Sequence, residues 1–332
     1  MERKVCEMIR KRIIVVMLCS VVAWTFSAAS GAVLFRADIS GYASVYAASR
    51  VSSGAAKKKY VDASRAAAKA KKRYRDAQSA TAGWKTRYDR VYPSYRRGSV
   101  GFFESVGAKN ALNELNTCKY SSYIRTADKG ASEKDSLADA TALDHMADSF
   151  SHMEYLNHLR KSLGLSELRV TDTMMARAQA DADYSDRNIG HAEQFPVAEN
   201  IAWNGGSNPY YQWYDNEKKI YDAGTRDFSR VGHYLNCINP EYEVTGYGIC
   251  SRGSSNGWIT FAQVFGFDTG EASYTVEQYE ARFRHYAGSM IDTVENYHEA
   301  VRTEKERKSA YSKALKQKKA AYSAYQKARK GR

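Results

Sequence analysis

Two short segments hold side chains able to do chemistry. "GHAEQFPVAENIAW" (190–203) carries His191 and, inside an apolar phrase, Glu199; "VGHYLNC" (231–237) carries His233. The chain has seven histidines in all. Neutral imidazole nitrogens and carboxylate oxygens suit zinc, and other divalent ions less specifically. A glutamate poised by a histidine can serve as a general base in hydrolysis. The same groups can also satisfy one another and merely fix the walls of a cleft. Composition leaves all three open. No Ser or Cys sits in a recognisable activating phrase, so a nucleophilic triad is not indicated. His145, His152 and His158 fall on one predicted helix and read as an exposed face rather than a metal site.

The elements that must position these residues are predicted by periodicity. Leu143, Met146, Phe150, Met153, Leu156 and Leu159 or Leu163 share one face of an amphipathic helix that Gly164 ends. A second helix starts at Thr171 or Asp172 as N-cap and turns Met174, Met175, Ala178 and Ala182 inward. A third, short helix covers "NPYYQWYDNEKKIYDA". "YEVTGYGICS" and "GWITFAQVFGF" read as two strands of a hairpin. Helices first and antiparallel strands later is an α+β order. This core is expected over 138–270, after an accessory helical region and polar linker at 94–137.

Two arms flank it. Tyr60, Ala63, Ala67, Ala70, Tyr74, Ala77, Thr81, Trp84, Tyr88 and Val91 repeat every three and four residues, the seam of a coiled-coil helix over 53–93 that Pro93 should stop. A weaker seam runs through Met290, Val294, Tyr297, Val301, Glu304, Lys308, Tyr311, Leu315, Lys318, Tyr322 and Tyr325, within a basic coiled-coil helix over 274–332. Small residues on one arm admit bulky ones from the other. The arms are expected to pair, within one chain or between two chains as a dimer.

Charge and targeting bound the partners. The formal charge is +13, and from Arg302 onward twelve Lys and Arg residues face only Glu304 and Glu306. Such a field attracts anionic surfaces. "MERKVCEMIRKR" followed by an apolar run from Ile13 to Phe35 reads as a signal peptide or an uncleaved membrane anchor within 1–47. Export makes nucleic acid an unexpected partner. It leaves anionic cell-wall polymer or a membrane surface for the basic helix, at a secreted or cell-surface location. In an oxidising compartment Cys237 and Cys250 could be bridged if the strand at 244–250 runs back beside Cys237.

"NHLRKSLGLSEL", "HAEQFPVAENIAW", "QWYDNEKKIYDAG", "GHYLNCINPEYEVTGYGI" and "FAQVFG" occur in an order that resembles the CAP superfamily: cysteine-rich secretory proteins, antigen 5, the pathogenesis-related type-one proteins, and bacterial SCP-like extracellular domain proteins. The resemblance spans about residues 143–268. It implies an α-β-α sandwich around a small antiparallel sheet, with a cleft that holds two histidines and two glutamates. These are His191, Glu199 and His233, with Glu217 as the second glutamate. The commoner pattern Trp-Tyr-x-Glu would place that position on Asn216. Trp203, Trp213, Tyr234 and Asn200 are the expected cleft lining. The resemblance implies no common reaction. The expected function is an exported module that binds a divalent metal such as zinc, or a small ligand, lipid or peptide. A metal-assisted hydrolase of peptides or wall polymers, and a structural surface protein acting through its arms, are the alternatives.

Overall fold

The computed structural model describes residues 41–251 and 257–330, with side chains from residue 52. Most of the expected signal or anchor, residues 1–40, lies outside these. Among the described residues no helix is long and apolar enough to cross a membrane. In chain order the elements are α1 (Gly41–Tyr95), α2 (Gly98–Ser105), α3 (Lys109–Thr117), α4 (Glu133–Ala138), α5 (Leu143–Ser162), β1 (Arg169–Val170), α6 (Asp172–Asn188), β2 (Ala198–Asn204), α7 (Glu217–Asp222), α8 (Phe228–Ile238), β3 (Val244–Cys250), β4 (Ile259–Gly266) and α9 (Val276–Lys330). A π-helical turn, Tyr211–Asn216, leads into α7.

The sheet has the order β1-β3-β4-β2. β3 and β4 form the expected antiparallel hairpin, and β2 pairs antiparallel with the other side of β4. The sheet is mixed rather than purely antiparallel, because the two-residue β1 pairs parallel with β3. So short a strand leaves little apolar periodicity to read.

Helices cover both faces, giving the α-β-α sandwich. On one face, α6 lies against β3 at backbone distance. A Cβ on Gly246 would sit 2.1 Å from the Met174 carbonyl oxygen, and one on Gly248 would sit 2.3 Å from that of Ala178. Strand residues two apart share a face. "TGYGI" therefore presents a bare backbone track to α6 and sends Tyr247 the other way, against α5. There the His152 ring stacks on Tyr247 at 5.0 Å. His152 is mostly buried, and burial pushes its pKa down to about 4. His145 is also tied in, its Nδ1 on the Asp139 carbonyl at 2.7 Å and its Nε2 on Ser251 Oγ at 3.0 Å. Of the three helix histidines expected to be exposed, only His158 is.

The same sheet corrects the expected disulfide. Cys250 shares the α6-facing side of β3 with Gly246 and Gly248 and packs with Ala182 and Ile201. Cys237 is buried in the larger cluster with Tyr247 and Ile249. The sheet separates the two sulfurs, and they are not bonded to each other.

The segments expected to be accessory share that larger cluster. Phe102 and Phe103 of α2 are fully buried. Phe102 meets Phe283 of α9 edge-on at 5.6 Å, and Phe150 of α5 meets Phe283 at 5.3 Å. The boundaries expected at 138 and 270 thus fall inside one continuous apolar core, which includes the first five turns of α9.

The described residues up to Tyr60, with those from Ala321, form one compact unit, and Val61–Ala320 form another. In the first, Tyr60 packs against Tyr322 and Tyr325 at 5.1 and 6.1 Å. In the second, α1 and α9 run antiparallel. Tyr74 meets Tyr311 at 6.2 Å, Tyr88 meets Tyr297 at 4.3 Å, and Thr81 Oγ1 donates to the Ala300 carbonyl. All ten expected seam positions of α1 are buried or half-buried. The seam of α9 differs from expectation. Val301, Leu315 and Tyr322 are exposed, and Ala300, Ala314 and Ala321 turn inward one position earlier. Small alanines leave room for large side chains opposite. Pro93 does not stop α1 at residue 92. It lies in the last turn, where its missing N–H costs a single ladder bond.

Gly246→Ala is expected to cost about 3 kcal/mol or to prevent folding, because the clash is with backbone. Gly288→Ala, inside α9 with its nearest contact at 3.9 Å, should instead stabilise by about 0.5–1 kcal/mol. Urea denaturation of both variants checks the contrast.

Candidate functional site

His191 lies in the loop after α6. That loop is built from unfavourable backbone: Ile189 and Glu193, neither a glycine, have φ of 44° and 50°. A β-branched residue there is a true outlier and costs about 1–2 kcal/mol. The turn is held by the Ile189 amide on the Ser185 carbonyl and by Ser185 Oγ on the Gly190 carbonyl. This strain turns the chain back so that His191 Nδ1 reaches Glu199 Oε2 at 2.5 Å. That bond raises the His191 pKa, against the opposing effect of its partial burial.

Glu199 leaves β2 on the α6 side, with Ile201 and Trp203. Asn200, its neighbour, leaves on the opposite side toward α8. Behind Glu199, on α6, stands Asp181, which is almost wholly buried. Burial, and next the charge of Glu199, push the Asp181 carboxyl up to about 9, so it is neutral at pH 7. Glu199 Oε1 is buried without any other hydrogen bond. A protonated Asp181 supplies the donor it lacks. Gln194 completes the set. Its amide donates to Asp181 Oδ1 at 2.7 Å, and its carbonyl accepts from the Tyr120 backbone amide at 3.1 Å. The segment before the core is thereby tied directly to the site.

The second histidine forms its own pair. His233 Nδ1 reaches Glu217 Oε1 at 2.5 Å, and Glu217 Oε2 accepts the Tyr234 amide at 3.0 Å. Glu217, rather than the exposed Asn216, meets His233. α8 is held in place by the fully buried Arg160 of α5. Its guanidinium has carbonyl partners rather than a carboxylate: Cys237 and Asn239 at 2.9 Å and Ser166 at 2.8 Å. The two pairs communicate through amides. Asn200 Nδ2 donates to the His233 carbonyl, and Asn236 Nδ2 donates to Asn200 Oδ1.

A cavity of about 340 Å³ opens beside His191 and Glu199. Phe195, Val197 and Phe228 form its apolar wall, and Gln194 and Asn236 supply amides. The expected lining residues are elsewhere. Trp213 is buried and donates to the Ile201 carbonyl, Tyr234 packs against Tyr214 and Tyr221, and Trp203 donates to the Ser185 carbonyl. Asn200 is fully buried. These four build the walls and do not line the cavity. His233 and Glu217 also lie outside its lining.

Residues 153–265 match a family model described as CAP: Cysteine-rich secretory protein family. The chain carries a CAP domain. No curated protein matches the chain. CAP domains are typically extracellular. Each of the two histidines gives its Nδ1 to a carboxylate, the outer partner that orients a ligating imidazole, so the pairing alone does not decide the fit to a metal. Among the described residues no three of His, Cys, Asp and Glu gather where they could hold a metal ion. The set does not fit a four-ligand zinc centre. Burial pushes the Cys237 thiol far up, away from the thiolate that a nucleophile needs.

Asp181 and Gln194 are the site residues that motif reading missed. Asp181 is one of several aspartates in "DADYSD", and nothing in its spacing marks it as the one facing Glu199. Burial favours the neutral form of Asp181. The stability of the neutral form is fully present below about pH 4, the unfolded value, and is lost as pH rises toward about 9. Asp181→Asn keeps an oxygen for Gln194 and a donor for Glu199 at every pH. It should be more stable than the parent at pH 9, by roughly 3 kcal/mol or more, with the advantage shrinking as pH falls toward 5. Urea midpoints across that range read the difference.

Proposed function

We propose that this CAP-domain protein is a non-catalytic binding module displayed outside the cell, and that the cavity beside His191 holds a small ligand. The observation that carries this reading is that the two histidine–glutamate pairs are not brought into one cavity. A general base needs a carboxylate or imidazole with capacity to spare toward substrate. A carboxylate on Nδ1 orients each imidazole for such use, but His191 and Glu199 line the cavity whereas His233 and Glu217 do not. His191, on a half-exposed ring, joins Gln194 and Asn236 as polar lining beside an apolar wall of Phe195 and Phe228. That combination suits a ligand with an apolar body and one hydrogen-bonding head group. The basic stretch from Arg302 favours retention at an anionic wall polymer or membrane surface.

The test is protein-observed NMR with a panel of small carboxylates, amides and alcohols bearing short apolar chains. Hits should shift His191 and Phe228, and His191→Ala should weaken them by about tenfold or more. No peptide or glycan turnover should appear. Turnover that is abolished in a folded His233→Ala variant would establish the hydrolase instead.

A further inference from the structure

A second and larger cavity, of about 620 Å³, lies between α3, the start of α6, the outer ends of β3 and β4, and the loop 267–271. Its size is that of a pocket for a small molecule or a short oligomer. Much of it is built outside the matched CAP stretch, by Asn110, Asn113 and Glu114 on one side and by Phe267, Thr269 and Glu271 on the other.

The chemistry of these walls is specific. Asn110 and Asn113 lie three apart on α3, on one helix face, and both are exposed. Neither side-chain amide has a hydrogen-bond partner among the described residues. Each offers a donor and an acceptor side by side. Glu114 receives both Arg177 bonds, at 2.9 and 2.7 Å, on Oε1 alone. Its Oε2 remains an acceptor, held in place by the guanidinium. Across the cavity Phe267 is a strongly exposed phenylalanine, 59 % accessible. It is not loose. Its ring packs edge-on against Tyr242 at 5.8 Å, and its loop is pinned by the Asp268 amide on Glu243 and the Gly270 amide on Asp268. A fixed, exposed aromatic face opposite paired amides and a carboxylate is the arrangement that receives a sugar ring. The apolar C–H face of the ring meets the aromatic, and the hydroxyls meet the amides and carboxylate.

The alternatives fit less well. An extended peptide is best met by an open strand edge. The strand residues that line the cavity, Val244 and Gly266, belong to β3 and β4, which are the two internal strands of the sheet. An anionic polymer would meet Glu114 and Glu271, with the one lining arginine already neutralised by Glu114. We infer that this cavity is a binding subsite for a neutral oligosaccharide, adjoining the His191 cavity at Val197 but sharing none of its polar lining.

Titration of the full chain with chitotetraose and cellotetraose, both uncharged and differing in acetamido groups, tests this by calorimetry and NMR. At least one should bind and shift Phe267, Asn110 and Asn113. Phe267→Ala and Asn113→Ala, both at exposed positions, should keep the parent's melting behaviour and weaken binding about tenfold or more. His191→Ala should bind the sugar like the parent. The inference is overturned if neither sugar binds up to about 10 mM, if binding is unchanged in both folded variants, or if a neutral tetrapeptide occupies the cavity while the sugars do not.

Discussion

The close approach of α6 to β3 is the constraint on which the rest depends. Two glycines, Gly246 and Gly248, let the helix backbone rest on the strand, with no side chain between them. Once α6 is placed, its side chains have fixed destinations. Asp172 meets Arg282 and Tyr279 of α9. Arg177 holds Glu114 at the larger cavity. Gln179 accepts from Ser99 of α2. Asp181 backs Glu199. A shift of α6 outward by the width of a methyl group would loosen all four, because each is a short polar contact made in a buried or half-buried setting where an unmet partner is costly.

The histidine–glutamate pairs depend on that placement in different ways. His191 and Glu199 meet because a strained loop leaves α6 and returns at once to β2. His233 and Glu217 meet because the π-turn and α7 bring Glu217 beneath α8, which Arg160 anchors by its carbonyls. Glu199 and Asn200 are adjacent in sequence, yet the strand's alternation sends them to opposite faces. One therefore joins the His191 pair and the other the amide chain toward His233. The result is two histidine–glutamate pairs linked by amides. The neutral Asp181 is the consequence of bringing two carboxyl groups together out of water, where one must keep its proton.

Segments outside the matched CAP stretch do structural work that their composition does not advertise. α2 and the start of α9 supply phenylalanines to the central core. The Tyr120 amide reaches the site through Gln194, and α3 forms a wall of the larger cavity. Within Val61–Ala320, α1 and α9 pair by matching large residues with small ones. Tyrosines carry the contacts at Tyr74–Tyr311 and Tyr88–Tyr297, and alanines at 300 and 314 turn inward on α9.

Much of this was legible in the amino-acid sequence by itself, because it follows from local periodicity and ordered motifs. The amphipathic face of α5, the Thr171 cap of α6, the hairpin at 244–266, the seam of α1, and the candidates His191, Glu199, Glu217 and His233 all belong here. Only the tertiary structure decided matters that depend on which side of the sheet a residue leaves. It separated Cys237 from Cys250 and put Trp213 and Tyr234 into the walls. It chose Asp181 from among the aspartates of its helix. It also set the phase of α9, where partner size rather than apolarity selects the inward residue. Hydrophobic pattern records how much of a side chain is covered. It carries no record of which distant residue does the covering, since that contact is made across the fold and not along the chain.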